Sequence, residues 1–122
     1  MQSVAQIRFD LLSVAARNAR LREEAGHWLD RVKLTPRAAL PAAALSHGDQ
    51  RKLEVAILLA LRPRVFMFDE PTAGMSLDEV PVILDLIDEI KSETDKTVLL
   101  VEHRMDVIKR LADRIVVLRT AR

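Results

Sequence analysis

Two adjacent carboxylates, Asp69 and Glu70, close the apolar run Val65-Phe66-Met67-Phe68 and are followed at once by Pro71. If that run is a strand of a parallel sheet, its carboxyl end opens onto the crevice where such sheets bind ligands. Neighbouring carboxylates there suit metal-assisted hydrolysis. Asp69 would hold Mg²⁺, directly or through water, and Glu70 would orient an attacking water. Asp-Glu-Pro alone favours a plain solvated acidic turn, so its neighbours decide. Upstream, Ser46-His47-Gly48-Asp49 opens a segment whose apolar residues recur at helical spacing. A helix start offers free N–H groups and a positive dipole end to a phosphate. Ser46 adds a hydroxyl, and Gly48 lets the backbone come close. In isolation Ser-x-Gly is an ordinary helix cap. The third element is His103, just past a second apolar run, Thr97–Val101. Strand-helix-strand connectivity would bring it beside Glu70. A phosphate-friendly helix start followed by a strand tipped with Asp-Glu is the layout of a nucleoside triphosphatase site.

These residues need elements to hold them. The spacing predicts helices over Phe9–Leu21 and Glu23–Val32, the second with Trp28, Leu29 and Val32 on one face. Thr35-Pro36 reads as a helix start, with Thr as cap and Pro first in the helix, and the stretch 41–44 as a connector. From Gly48 onward, Leu53, Ile57 and Leu61 mark a helix broadened by Val55, Ala56, Leu58 and Leu59, and Pro63 stops it. Next come a buried strand Val65–Phe68, an amphipathic helix Leu77–Lys91 and a second buried strand Thr97–Val101. A short helix Arg104–Leu111 and a third strand Arg114–Leu118 complete the expected order. Val80, Leu84, Ile87 and Ile90 should face inward, and Ser76-x-x-Glu79 resembles a capping box disturbed by Pro81. Continuous apolar strands joined by helices argue for an α/β fold with parallel pairing, Val65–Phe68 lying at the centre.

Composition narrows the function classes. The chain has 122 residues, 49% hydrophobic and 30% charged, which suits at most one globular domain. A formal net charge of +1 argues against a broad basic face for nucleic acid, and 3% aromatic content without Tyr argues against base stacking. Zero Cys removes zinc-thiolate sites and cysteine nucleophiles. The three His show no ligand spacing, and His27, beside Trp28, is assigned no role. Arg51, Lys52, Arg62 and Arg64 read as solvated charges. No apolar run is long enough to span a bilayer, and the first residues lack a signal-peptide core.

The motifs carry a resemblance to a known family. Leu45 to Asp49 is similar to the L-S-G-G-Q signature of ATP-binding-cassette (ABC) ATPases, with His47 in place of Gly and Asp49 in place of Gln. The run VFMFDEP resembles their Walker B strand, and the VLLVEHRMD context of His103 resembles their switch histidine. The turn 72–77 resembles their D-loop, with Gly74, Met75 and Ser76 at its centre and Ser76 where Asp is usual. The L-S-H-G and A-G-M-S variants resemble the branched-chain amino acid importer group. The resemblance spans about 4–118 and implies a partial P-loop NTPase fold: an N-terminal helical (signature) subdomain over 1–62 and, over 63–122, the part of the ATPase core with Walker B and the switch histidine. It implies ATP and Mg²⁺ as cofactors, with Glu70 and His103 catalytic and Asp69 at the metal. Ser46, His47, Gly48 and Asp49 would reach the nucleotide held by a second ATPase subunit. It further implies an integral membrane permease as partner, and a cytoplasmic place at the inner face of the membrane without insertion into it.

Three functional classes follow. The first is the signature and Walker B portion of an importer ATPase. The second is a non-catalytic interaction module or degenerate, truncated subunit unable to bind ATP alone. It draws support from the sequence, which contains no G-x-x-x-x-G-K-[ST] pattern and only 3 Gly. Neither Gln2 nor Gln6 has the strand context of the family's glutamine loop. A DNA-maintenance ATPase is the third, disfavoured by the low net charge, the lack of heptads and the signature variant.

Overall fold

The computed structural model describes residues 4–121. Its elements are α1 (Val4–Arg31), two single 3-10 turns (Thr35–Arg37 and Ala42–Ala44), α2 (His47–Leu61), β1 (Val65–Asp69), α3 (Val80–Ser92), β2 (Thr97–Val101) and α4 (Met105–Leu111). This is the expected α/β arrangement, a helical N-terminal portion leading into a parallel sheet. The two helices expected before Thr35 are one. Only Arg22 separates them, its neighbours Leu21, Glu23, Glu24 and Ala25 are good helix formers, and Gly26 has open space around it, so nothing breaks the helix. Lys33 ends it in the left-handed region (φ 60°). Leu34 N–H donates to Leu29 O at 2.8 Å and Lys33 N–H to Asp30 O at 3.0 Å, which closes a Schellman turn. Gln2 lies outside the described residues, and Gln6 sits in α1. Thr35-Pro36 starts only a single 3-10 turn, with Leu34 rather than Thr35 at the cap.

Ser46 caps α2: its hydroxyl accepts from Asp49 N–H at 3.2 Å. Arg62, left-handed at φ 50°, ends the helix just before Pro63. The buried stripe of α2 is Gly48, Asp49, Lys52, Val55, Ala56 and Leu59. Ile57 and Leu61, expected inward, are 52% and 71% exposed. The helix is apolar on most sides, so spacing alone does not fix which side packs. Lys52, read as a solvated charge, is buried.

β1 and β2 pair in parallel, in register from Val65↔Thr97 to Asp69↔Val101. Phe66 and Phe68 point into a core that also takes Val32, Leu34, Val55, Ala56, Leu59, the inner face of α3, and Val107 and Leu111 of α4. The inner face of α3 is the expected one, Val80, Leu84, Ile87 and Ile90, with Ile83 and Leu86 added. Two expectations about the sheet are corrected. Among the described residues the sheet has two strands, so β1 is not central. The segment 114–118 is not a strand, and Ile115, Val116, Val117 and Leu118 are exposed. Lys91 Nζ donates to Leu111 O and lies 3.2 Å from Asp113 Oδ1, tying the chain after α4 to the end of α3. The opposite sheet face, with Val65, Met67, Leu99 and Val101, is bare. An apolar segment gains little from strand pairing where no layer covers that face.

Candidate functional site

The register of the sheet decides what meets at its carboxyl end. Asp69 pairs with Val101, and Glu70 N–H donates to Val101 O at 2.8 Å, so both strands stop together. Glu70 then turns the chain with φ 46°, a left-handed conformation that costs a non-glycine residue about 1–3 kcal/mol. Pro71 disfavours the right-handed helical alternative for the residue before it. On the β2 side, Glu102 Oε1 accepts from the N–H groups of His103 (3.0 Å) and Arg104 (3.2 Å) and fixes the turn into α4. Arg110 pairs with Asp85 and Asp88 and holds α4 on α3. The result is that His103 Nε2 lies 2.8 Å from Glu70 Oε1, both side chains open to solvent. An imidazole N–H directed at a carboxylate leaves its second oxygen free to accept from a water.

Asp69 is exposed beside Glu70 and makes no ion pair among the described residues. No group of three or more His, Asp or Glu side chains gathers to hold a metal among those residues. That donor set does not make a protein cage. It does fit Mg²⁺, which keeps most of its waters and takes one or two carboxylates together with phosphate oxygens.

The first turn of α2 and the turn 72–79 pack against each other. A Cβ added to Gly74 (φ 72°) would fall 2.6 Å from His47 Cδ2, and one added to Gly48 would fall 2.4 Å from Glu79 Oε2. At Gly74 the left-handed φ favours glycine, and at Gly48 a side chain would displace the carboxylate of Glu79. Ala73 N–H donates to Glu70 O at 3.0 Å, so this turn begins at Glu70 itself. Glu70 and His103 thus meet directly, while Ser46, His47 and Gly48 reach them through the turn that carries Gly74, Met75 and Ser76. No hydrogen bond joins Ser46 to Glu70 among the described residues.

Asp49 is taken up within the protein. Its Oδ1 lies 3.1 Å from Lys52 Nζ and its Oδ2 3.0 Å from Arg37 Nε. Glu79 Oε1 also lies 3.1 Å from Lys52 Nζ, and Glu79 Oε2 accepts from Ser76 N–H (3.2 Å) and Ser76 Oγ (2.9 Å). The bonds from Ser76, then that from Lys52, hold the Glu79 carboxyl below its ordinary range. Burial alone would lower the pKa of the Lys52 ammonium, but Glu79 and Asp49 together hold it above its usual value. Arg37 and Glu102 were not singled out by the sequence, while Glu79 was expected only as part of a capping box and Lys52 only as a solvated charge. For Lys52 a signal exists, since it continues the stripe of Val55, Ala56 and Leu59 back by one turn.

The family described as ABC transporter is matched over residues 2–73. The chain is 44% identical over 96 residues to the high-affinity branched-chain amino acid transport ATP-binding protein BraF of Pseudomonas aeruginosa, covering 79% of this chain and 38% of BraF. To LivG of Escherichia coli K12, of the same description, it is 38% identical over 95 residues, covering 78% of this chain and 37% of LivG. To the methionine import ATP-binding protein MetN of Caulobacter vibrioides it is 34% identical, covering 99% of this chain and 37% of MetN. Among solved structures, cbiO1 of Clostridium perfringens, part of the ABC transporter complex cbiONQ, superposes with a TM-score of 0.63 at 27% identity, over 79% of this chain and 38% of cbiO1. A nucleotide-free ATP-binding cassette from an ABC transporter superposes at 0.64 with 28% identity, over 75% of this chain and 36% of that one. The chain spans less than two fifths of the length of these curated relatives. With parallel strands whose ends bring Glu70 to His103, and a helix capped by Ser46 before them in the chain, the chain belongs to the ABC transporter family.

Proposed function

We propose that this chain is part of the ATP-hydrolysing subunit of an importer for branched-chain amino acids, working on ATP bound between two subunits. The observation that carries the reading is the Glu70–His103 pair, 2.8 Å apart at the carboxyl ends of two parallel strands. In this reading Glu70 orients and accepts a proton from the attacking water. His103 fixes Glu70 by donating its Nε2–H to it. Asp69 would hold Mg²⁺, which would supply neutralisation of phosphate charge. Ser46, His47, Gly48 and the backbone of Asp49 face the nucleotide of the second subunit, and Gly74, Met75 and Ser76 run along the interface between the two. The division at residue 62, into a signature part and a core part, belongs to the same reading. So do an integral membrane permease as partner and a place on its cytoplasmic side. The similarity to BraF and LivG supports the substrate class. No helix among the described residues is long and apolar enough to cross a membrane.

The test is a chimera in which the part of BraF that precedes the matched region is joined to this chain. It should hydrolyse ATP, and Glu70→Gln should lower turnover by on the order of 10²-fold or more while ATP still binds. Unchanged turnover in that variant removes Glu70 from the chemistry. A second reading, a non-catalytic module that lends its signature turn to a partner's ATP, is favoured by the absence of a G-x-x-x-x-G-K-[ST] pattern from the sequence. A chimera inactive from the start, which nonetheless stimulates an intact subunit, would support it.

A further inference from the structure

Lys52 is 8% exposed, and its ammonium is shared between two segments of the chain. Asp49, 3.1 Å away, belongs to the first turn of α2, and Glu79, also 3.1 Å away, closes the turn before α3. A buried ammonium that loses a partner is left with an uncompensated charge, so the contact is worth more than a surface ion pair. Glu79 spends its other oxygen on Ser76, through both the backbone N–H and the hydroxyl. A side chain at position 48 would displace the Glu79 carboxylate, and Gly74, at φ 72°, carries the turn past His47. Backbone, ion pair and side-chain hydrogen bonds therefore meet on one carboxylate.

We propose that Lys52 and Glu79 form a clamp, with Lys52 as a positioning residue, that sets the Ser46–Asp49 turn against the turn 72–79 so that the two move as one unit. The role of this unit at a partner's nucleotide rests on the function proposed above. The coupling itself does not, and it is measurable without nucleotide.

The experiment is amide hydrogen exchange on the whole chain, comparing Lys52→Met, Glu79→Gln, the double variant and Lys52→Arg. Lys52→Met and Glu79→Gln should each speed exchange in both turns, 46–49 and 73–79, on the order of tenfold, as loss of one charge-assisted hydrogen bond predicts. The paired amides of β1 and β2 should keep their protection. The double variant should be no worse than either single one, and Lys52→Arg should stay near the parent. A strut that merely supports the fold would lower protection everywhere, the strands included. Loosening confined to the mutated element, or additive effects in the double variant, overturns the clamp. If Lys52→Met does not fold, Glu79→Gln alone decides, because exchange at 46–49 must still respond to a change at 79. Failure of the Glu70→Gln test in the chimera, with this coupling intact, would instead count against the function.

Discussion

Ser46 has two jobs that a single substitution confounds. Its hydroxyl caps α2 by accepting from Asp49 N–H, and the proposed function also directs it at a phosphate across the interface. Alanine removes both and costs about 0.5–2 kcal/mol of cap stability by itself. Aspartate separates them. It is as good a cap as serine, but its charge faces the phosphate. In the BraF chimera, Ser46→Asp is expected to melt within a few degrees of the parent yet lose ATP-driven dimerisation, measured by size-exclusion chromatography with Mg-ATP on the Glu70→Gln background. Dimerisation equal to the parent would leave Ser46 as a cap alone. At this scale the sequence was informative for residues at the ends of elements. Glu70 and His103 sit where a parallel register must bring them. The pairing of Lys52 with Glu79 and of Arg37 with Asp49 was not legible, because it depends on which side of α2 packs inward and on how the turn 72–79 folds back over it.

At the level of elements, caps and breakers were read well and packing phase was not. Pro63 does end α2, through Arg62 in the left-handed region, and β2 spans the expected residues. The Ser76-x-x-Glu79 box is half made. Glu79 reaches back to Ser76 N–H, but Pro81 sits in the first turn, so regular helix begins only at Val80. The inward stripe of α2 runs through Lys52 and Val55 instead of Ile57 and Leu61, since apolar residues on most sides leave the phase undetermined. The half-made box has a pH consequence. The folded Glu79 carboxyl lies below its ordinary value of 4.5, so its contribution is complete above pH 4.5 and fades as pH falls through the lower, folded value. Stability of the chain against urea should therefore drop on the acid side less steeply for Glu79→Gln than for the parent. Parallel acid limbs would show that Glu79 adds nothing.

The whole molecule is organised around one covered sheet face. Phe66 and Phe68 are buried beneath α2, α3 and α4, while Val65, Met67, Leu99 and Val101 lie bare on the other side, Met67 being 69% exposed. The two-layer order and the parallel pairing were readable from apolar runs separated by helical spacing. The third strand was not, because segment 114–118 has a strand's composition but no covered neighbour to pair with. The same organisation bears on nucleotide affinity. Triphosphate binding in P-loop enzymes rests on a loop of backbone N–H groups and a lysine, and no such pattern occurs in these 122 residues. What the chain offers at the sheet end is Asp69, Glu70 and His103, two carboxylates that repel a polyanion. In the proposed function this chain supplies the catalytic carboxylate and the signature turn, and residues outside it grip the nucleotide. Isothermal titration of the folded chain with Mg-ATP tests that division directly. No saturable heat is expected up to millimolar nucleotide, whereas a dissociation constant in the low micromolar range would overturn the division and locate a phosphate site within these residues.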